Sequence, residues 1–160
     1  MLNAQDLSTA FARNIAIIKM QAEGLTNEDS MRLLPHGNCL NWVLGHIAIH
    51  RDSILQLLGE PPFMGATGAR YKRDSQPLTH IDEGTLPMQE LLTWLDLSQE
   101  QIASALSHLD EADLAREITT TGGRKSTVGQ RVFFLYFHET YHVGQTELFR
   151  QLAGKDDKLI

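Results

Sequence analysis

Residues 127–154 read TVGQRVFFLYFHETYHVGQTELFRQLAG. Arg131, Leu135, His138, His142, Gln145, Phe149 and Leu152 recur at steps of three and four, the period of one helix face. The spacing predicts a helix from about Thr127 to Ala153, with Gly154 as its stop. A surface helix turns such a stripe toward the core. That places His138, His142 and Gln145 in the middle of an inward line. A lone core histidine is ordinarily bonded to a backbone or carboxylate partner. Two imidazoles stacked at i and i+4 on a buried face both need partners, and one shared metal ion satisfies both.

Outward from this segment, three more stretches carry the same period. One runs from about Asp6 to Ala22 through Phe11, Ile15, Ile18 and Met20. A second runs from about Cys39 to Leu58. A third runs from about Pro87 to Leu109, with Leu91, Leu95, Ile102 and Leu106 spaced by three and four. A short extra turn is expected at Asn27 to Leu33, closed by Pro35. Ile118 to Thr121 and Arg124 to Thr127 flank Gly122-Gly123, a hairpin signal. The connection from Gly59 to Gly84 holds three prolines, and about 25 residues is long for a link inside a compact domain. It serves as a crossover between helices that are not antiparallel neighbours, or as a lid. The expectation is one all-α domain over residues 1–160, a four-helix bundle.

The chain has 160 residues, 42% hydrophobic and 21% charged, ordinary for a globular protein with a substantial core. Its net charge of −6 argues against duplex nucleic acid or an anionic membrane surface as partner. The start turns amphipathic at once, so no secretory signal is expected. No apolar run reaches the length of a membrane span. The single cysteine, Cys39, excludes an intrachain disulfide and fits a reducing compartment, so a cytoplasmic location is expected.

A metal on the last helix needs a ligand from another one. Asn41-Trp42-Val43-Leu44-Gly45-His46-Ile47-Ala48-Ile49-His50 offers two histidines at the same four-residue spacing, and periodicity alone does not choose between them. His138-Glu139-Thr140-Tyr141-His142 matches the H-E-x-x-H helix of zinc proteases, whose glutamate is the general base. Little chain remains after it for a third ligand, and no later histidine supplies the metzincin extension. A protease is therefore not the expectation. Glu139 lies about 100° off the stripe, either exposed or behind a ligand. Phe133, Phe134, Tyr136, Phe137 and Tyr141 are expected in core and interface packing. Arg124-Lys125-Ser126-Thr127 lacks the frame of a phosphate loop.

Asn41 to Ala48, a tryptophan-led helix segment ending in a histidine, and His138-Glu139-Thr140-Tyr141-His142-Val143-Gly144-Gln145, of the form H-x-x-x-H-x-G-Q, resemble the two signature segments of the DinB-like superfamily of metalloenzymes. Length and helix order match over nearly the whole chain. The resemblance implies an up-down-down-up bundle, which would account for the long connection. It implies a three-histidine site at His46, His138 and His142, with His50 outside the triad. It also implies a homodimer, and no DNA contact. Some relatives are thiol S-transferases or thiol-dependent isomerases.

Three neutral imidazoles leave a divalent ion with an open position, which water or a thiol can fill. Zinc, nickel and iron all suit such ligands, as does copper. The function expected is therefore a metal-dependent transfer of a low-molecular-weight thiol to a small electrophile, the alternative being a non-catalytic metal or small-ligand binder. Gln145 could orient a ligand, while Tyr141 and His50 are candidates for proton handling or substrate contact. No residue is assigned to the bond-making step.

Overall fold

The computed structural model describes residues 3–35 and 37–157, so His36 lies outside the described residues. Helix α1 (Ala4–Ala22) opens with a capping box between Asn3 and Asp6. A single turn, α2 (Asn27–Ser30), is capped the same way by Thr26 and Asp29. Helix α3 (Leu40–Leu58) begins at Cys39 and stops at Gly59, whose φ of 90° lies in the left-handed region that favours glycine. Helix α4 (Met88–Ser107) is followed by the short α5 (Glu111–Ala115). Strands β1 (Glu117–Thr119) and β2 (Lys125–Thr127) pair antiparallel, Ile118 opposite Ser126. Helix α6 (Val128–Leu152) starts on a capping box of Thr127 and Gln130.

The four long helices form the expected all-α bundle, and cross-bundle bonds give their directions. Asn41 reaches the Leu86 carbonyl, and ten residues on Arg51 reaches Ser98 and Gln99, so α3 and α4 run parallel. Gln99 bonds Ser8 while Lys19 pairs with Asp96, so α1 opposes α4. Asn14 meets Glu139, and Arg150 meets the Gln21 carbonyl, so α1 and α6 are parallel. The order is up-down-down-up. Parallel neighbours α3 and α4 force the chain to travel back along the bundle, which is the work of the long connection.

That connection is more ordered than its prolines and glycines suggest. A 3-10 helix (Gly65–Tyr71) lies in it against α3. The Asp52 carboxylate accepts the backbone N–H groups of Phe63 (2.8 Å) and Met64 (2.9 Å). Arg70 pairs with Asp82 at 3.2 Å, and Trp42 donates to Ser75. Tyr71 is fully buried.

The core is two apolar clusters with a polar layer between them. One gathers Ile15, Ile18, Leu44, Ile47, Leu91, Leu95, Val143 and Phe149; the other gathers Leu7, Phe11, Ile54, Leu55, Ile102, Leu106, Val132 and Leu135. Between them Arg51 uses all five of its N–H groups. Nε and one Nη2 hydrogen go to Glu139 at 2.8 Å each, Nη1 to Ser98 and Gln99, and the second Nη2 hydrogen to the Phe11 carbonyl. Asn14 completes the layer by donating to Glu139 at 3.1 Å. Arg51 thus touches α1, α4 and α6 from α3.

Two sequence expectations need correction. Glu139 is neither exposed nor turned to the histidines: Arg51 and Asn14 take both carboxylate oxygens in the core. Of the aromatic cluster expected in core and interface packing only Tyr136 joins the core, packing edge-on against Phe11; Phe133, Phe134, Phe137 and Tyr141 are exposed, which overturns the core part of the expectation for them. A helix whose neighbours α1 and α3 already cover one side has no core left for the opposite one.

Candidate metal centre

Helices α3 and α6 run antiparallel, so the pair His46/His50 faces the pair His142/His138 in reverse order. The four rings stand at the corners of a quadrilateral. Centroids are 4.6 Å apart for His46–His50, 4.2 Å for His50–His138, 4.6 Å for His138–His142 and 4.9 Å for His142–His46. His46, His50 and His138 each offer a nitrogen within 4.8 Å of the other two. The Nε2 atoms of His138 and His142 are 3.3 Å apart. Two nitrogens on one tetrahedral ion with bonds of about 2.0–2.1 Å stand ~3.3 Å from each other.

Two of the rings are held in the tautomer a metal ligand needs. His46 Nδ1–H donates to the Tyr71 carbonyl at 2.8 Å, leaving Nε2 bare. His142 Nδ1–H donates to Gln145 Oε1 at 2.8 Å, leaving its Nε2 bare as well. Gln145 therefore orients a ring of the candidate site, as its position one turn on suggests. His138 is the ring without a satisfactory state. Its Nδ1 is buried with no hydrogen-bond partner. With the proton on Nδ1, that donor is orphaned and two bare Nε2 atoms face each other. With the proton on Nε2, the Nδ1 lone pair is orphaned. The donor set is what suits a metal: imidazole nitrogens converge from two helices, and a cation shared by the two Nε2 atoms removes the repulsion of their facing lone pairs. The residues fit a metal.

Electrostatics point the same way. Burial, then the neighbouring imidazoles His138, His46 and His142, depress His50 to about 3. Burial, then His142 and His46, depress His138 to about 4. His46 is lowered by burial against the opposing Tyr71 hydrogen bond, and His142 by burial against Gln145. All four are neutral at pH 7, the form that binds metal. These folded values lie below the ordinary 6.5. As pH falls through about 6.5 the unfolded chain takes up protons that the fold refuses. The metal-free protein is thus expected to be fully stabilised above pH 7 and to lose stability progressively between pH 6.5 and about 3. Thermal melts across that range check this; a flat Tm from pH 7 to 5 would refute it.

Trp42 stacks on His46 at 4.4 Å and 13°, shielding one ring face from water. Tyr141 stands exposed, its ring edge-on to His142 at 5.4 Å. The exposed His80 and His108 take no part: His80 bonds Thr79, and His108 bonds the Ser104 carbonyl. Sequence reasoning missed Tyr71, whose carbonyl orients His46 from 25 residues away. The only local trace of it is Gly45, where the Tyr71 ring lies against α3.

Comparison with known proteins agrees with this architecture. A family model described as the DinB superfamily matches residues 11–146. No curated protein matches the chain. A crystal structure of a conserved protein from Enterococcus faecalis is 18% identical, covers 96% of this chain and 98% of its own, and superposes with a TM-score of 0.74. At that identity the likeness shows the fold alone.

Proposed function

This chain belongs to the DinB superfamily, and from that membership and its histidine cluster we propose that it binds one divalent metal ion through His46, His138 and His142 and uses it to transfer a low-molecular-weight thiol to a small electrophile. The observation carrying the metal reading is the convergence of imidazole nitrogens from two helices: those of His46, His50 and His138 lie within 4.8 Å of one another, and the His138 and His142 Nε2 atoms are 3.3 Å apart. A bound divalent ion supplies Lewis acidity that lowers the pKa of a water or thiol. The chain's own residues do the rest. The Tyr71 carbonyl and Gln145 hold two imidazoles with Nε2 inward. Trp42 keeps water from His46. Tyr141, exposed with its ring edge-on to His142, is the candidate for contact with the substrate.

Elemental analysis of the purified protein tests the metal. One equivalent of zinc, nickel or iron is expected in the wild type and less than a tenth of that in His138→Ala. Equal content in both would sink the reading. Turnover of a thiol with a model electrophile, lost in His142→Ala, supports the transferase; tight metal binding with no turnover across several thiols assigns the chain to the non-catalytic binders.

The proposal extends to a cytoplasmic homodimer. Cys39 is a free, buried thiol, and among the described residues no helix is long and apolar enough to cross a membrane. On the outer face of α6, Phe133, Phe134, Phe137, Tyr141, Leu148 and Leu152 are all exposed. These six side chains present roughly 600 Å² per copy. Two copies joined there would bury about 1,200 Å², the lower bound of a specific interface. Light scattering is expected to give a dimer, and Phe137→Asp a monomer; a wild-type monomer at micromolar concentration would remove the dimer.

A further inference from the structure

The three-ligand reading leaves His50 without a task, yet the structure does not place it as a bystander. We propose that His50 is a fourth metal ligand, so that the centre of this chain is a ring of four imidazoles; this rests on the metal reading above.

Three observations carry it. His50 belongs to the set of histidines whose nitrogens lie within 4.8 Å of one another, together with His46 and His138. Its ring makes the shortest centroid separation in the cluster, 4.2 Å to His138. Among the described residues it has no hydrogen-bond partner, although it is mostly enclosed, whereas the exposed His80 and His108 each have one. The other imidazoles of known tautomer each spend one nitrogen on a fixed acceptor and keep the other for the cluster. His50 has no acceptor to hold it, and its neighbours within the cluster are imidazoles. A metal ion among the four rings gives the half-buried His50 the fixed partner that the protein itself withholds.

The arrangement also follows from helix geometry. Each of two antiparallel helices presents histidines one turn apart, so adding His50 to the three makes both helices contribute equally. The chemical consequence concerns coordination number. A tetrahedral zinc ion held by four imidazoles is closed to exogenous ligands. A six-coordinate ion such as nickel or iron keeps two positions, enough for a thiol and a water together. His50 would therefore make the choice of metal decide whether the site is structural or reactive.

Loading with one equivalent of Cu(II) and counting coordinated nitrogens by electron paramagnetic resonance tests this on the wild type, with no variant that could misfold. Four equivalent imidazole nitrogens are expected, and three in His50→Ala and His50→Gln, with affinity lowered at least about tenfold. Three nitrogens in the wild type, or wild-type affinity and an unchanged spectrum in both variants, overturns the fourth ligand and leaves the three-histidine site standing. A wild type that takes up no copper, zinc or nickel overturns the metal reading itself.

Discussion

Glu139→Ala is expected to cost about 3–5 kcal/mol of folding stability, because it strands a fully buried guanidinium without its counter-charge. Arg51 is 0% exposed and its partner 2%. Both carboxylate oxygens are taken by Arg51 at 2.8 Å, and Asn14 adds a third bond. Water does not reach the layer to replace them, since apolar clusters lie on either side. A loss of this size is a large part of the roughly 5–15 kcal/mol that holds a domain folded. Glu139→Gln keeps the shape but removes the charge and one acceptor, and should cost less. Replacing both partners, Arg51→Met with Glu139→Leu, should recover much of the loss, because no charge is then left buried. Urea denaturation of the single and double variants checks the cycle. A Glu139→Ala protein within 1 kcal/mol of wild type would mean that the pair is solvated.

Gly45→Ala is expected to act against its helix propensity. Alanine at an exposed helix interior gains about 1 kcal/mol over glycine. Here a Cβ would fall inside the Tyr71 ring, against its Cγ, Cδ1 and Cε1 atoms. Tyr71 is fully buried and has nowhere to go. Its hydroxyl donates to Asn41 and accepts the Leu86 N–H at 2.8 Å. Its carbonyl takes the His46 Nδ1 proton. Overpacking of this kind costs about 1–3 kcal/mol or more, and losing the group that orients a ligand costs about 10–100-fold in metal affinity. The variant should therefore melt several degrees lower and bind metal more weakly, both readable by thermal denaturation and metal titration. Wild-type Tm with wild-type affinity would show that Tyr71 does not hold His46.

The bundle was legible in the sequence because each long helix repeats its apolar residues over several turns. The 3-10 helix and α5 were not, since both are shorter than the window over which a period shows. The outer face of α6 defeated the patterning for a different reason. Phe133, Phe134 and Phe137 are as apolar as the core residues beside them, so hydrophobicity did not mark them as lying outside the inward stripe.

The pairing of histidines at four-residue spacing on two helices was written in the chain, and with it the capacity to hold a metal. Their convergence was not. Whether His46 or His50 would meet His138 and His142 depended on the register of α3 against α6, which Arg51 and Glu139 pin one residue further along. Tyr71 orients His46 only because parallel α3 and α4 send the connection back across α3. Local periodicity is a property of neighbours in sequence, whereas register and carbonyl placement arise from contacts between segments 25 to 125 residues apart, which no single stretch encodes.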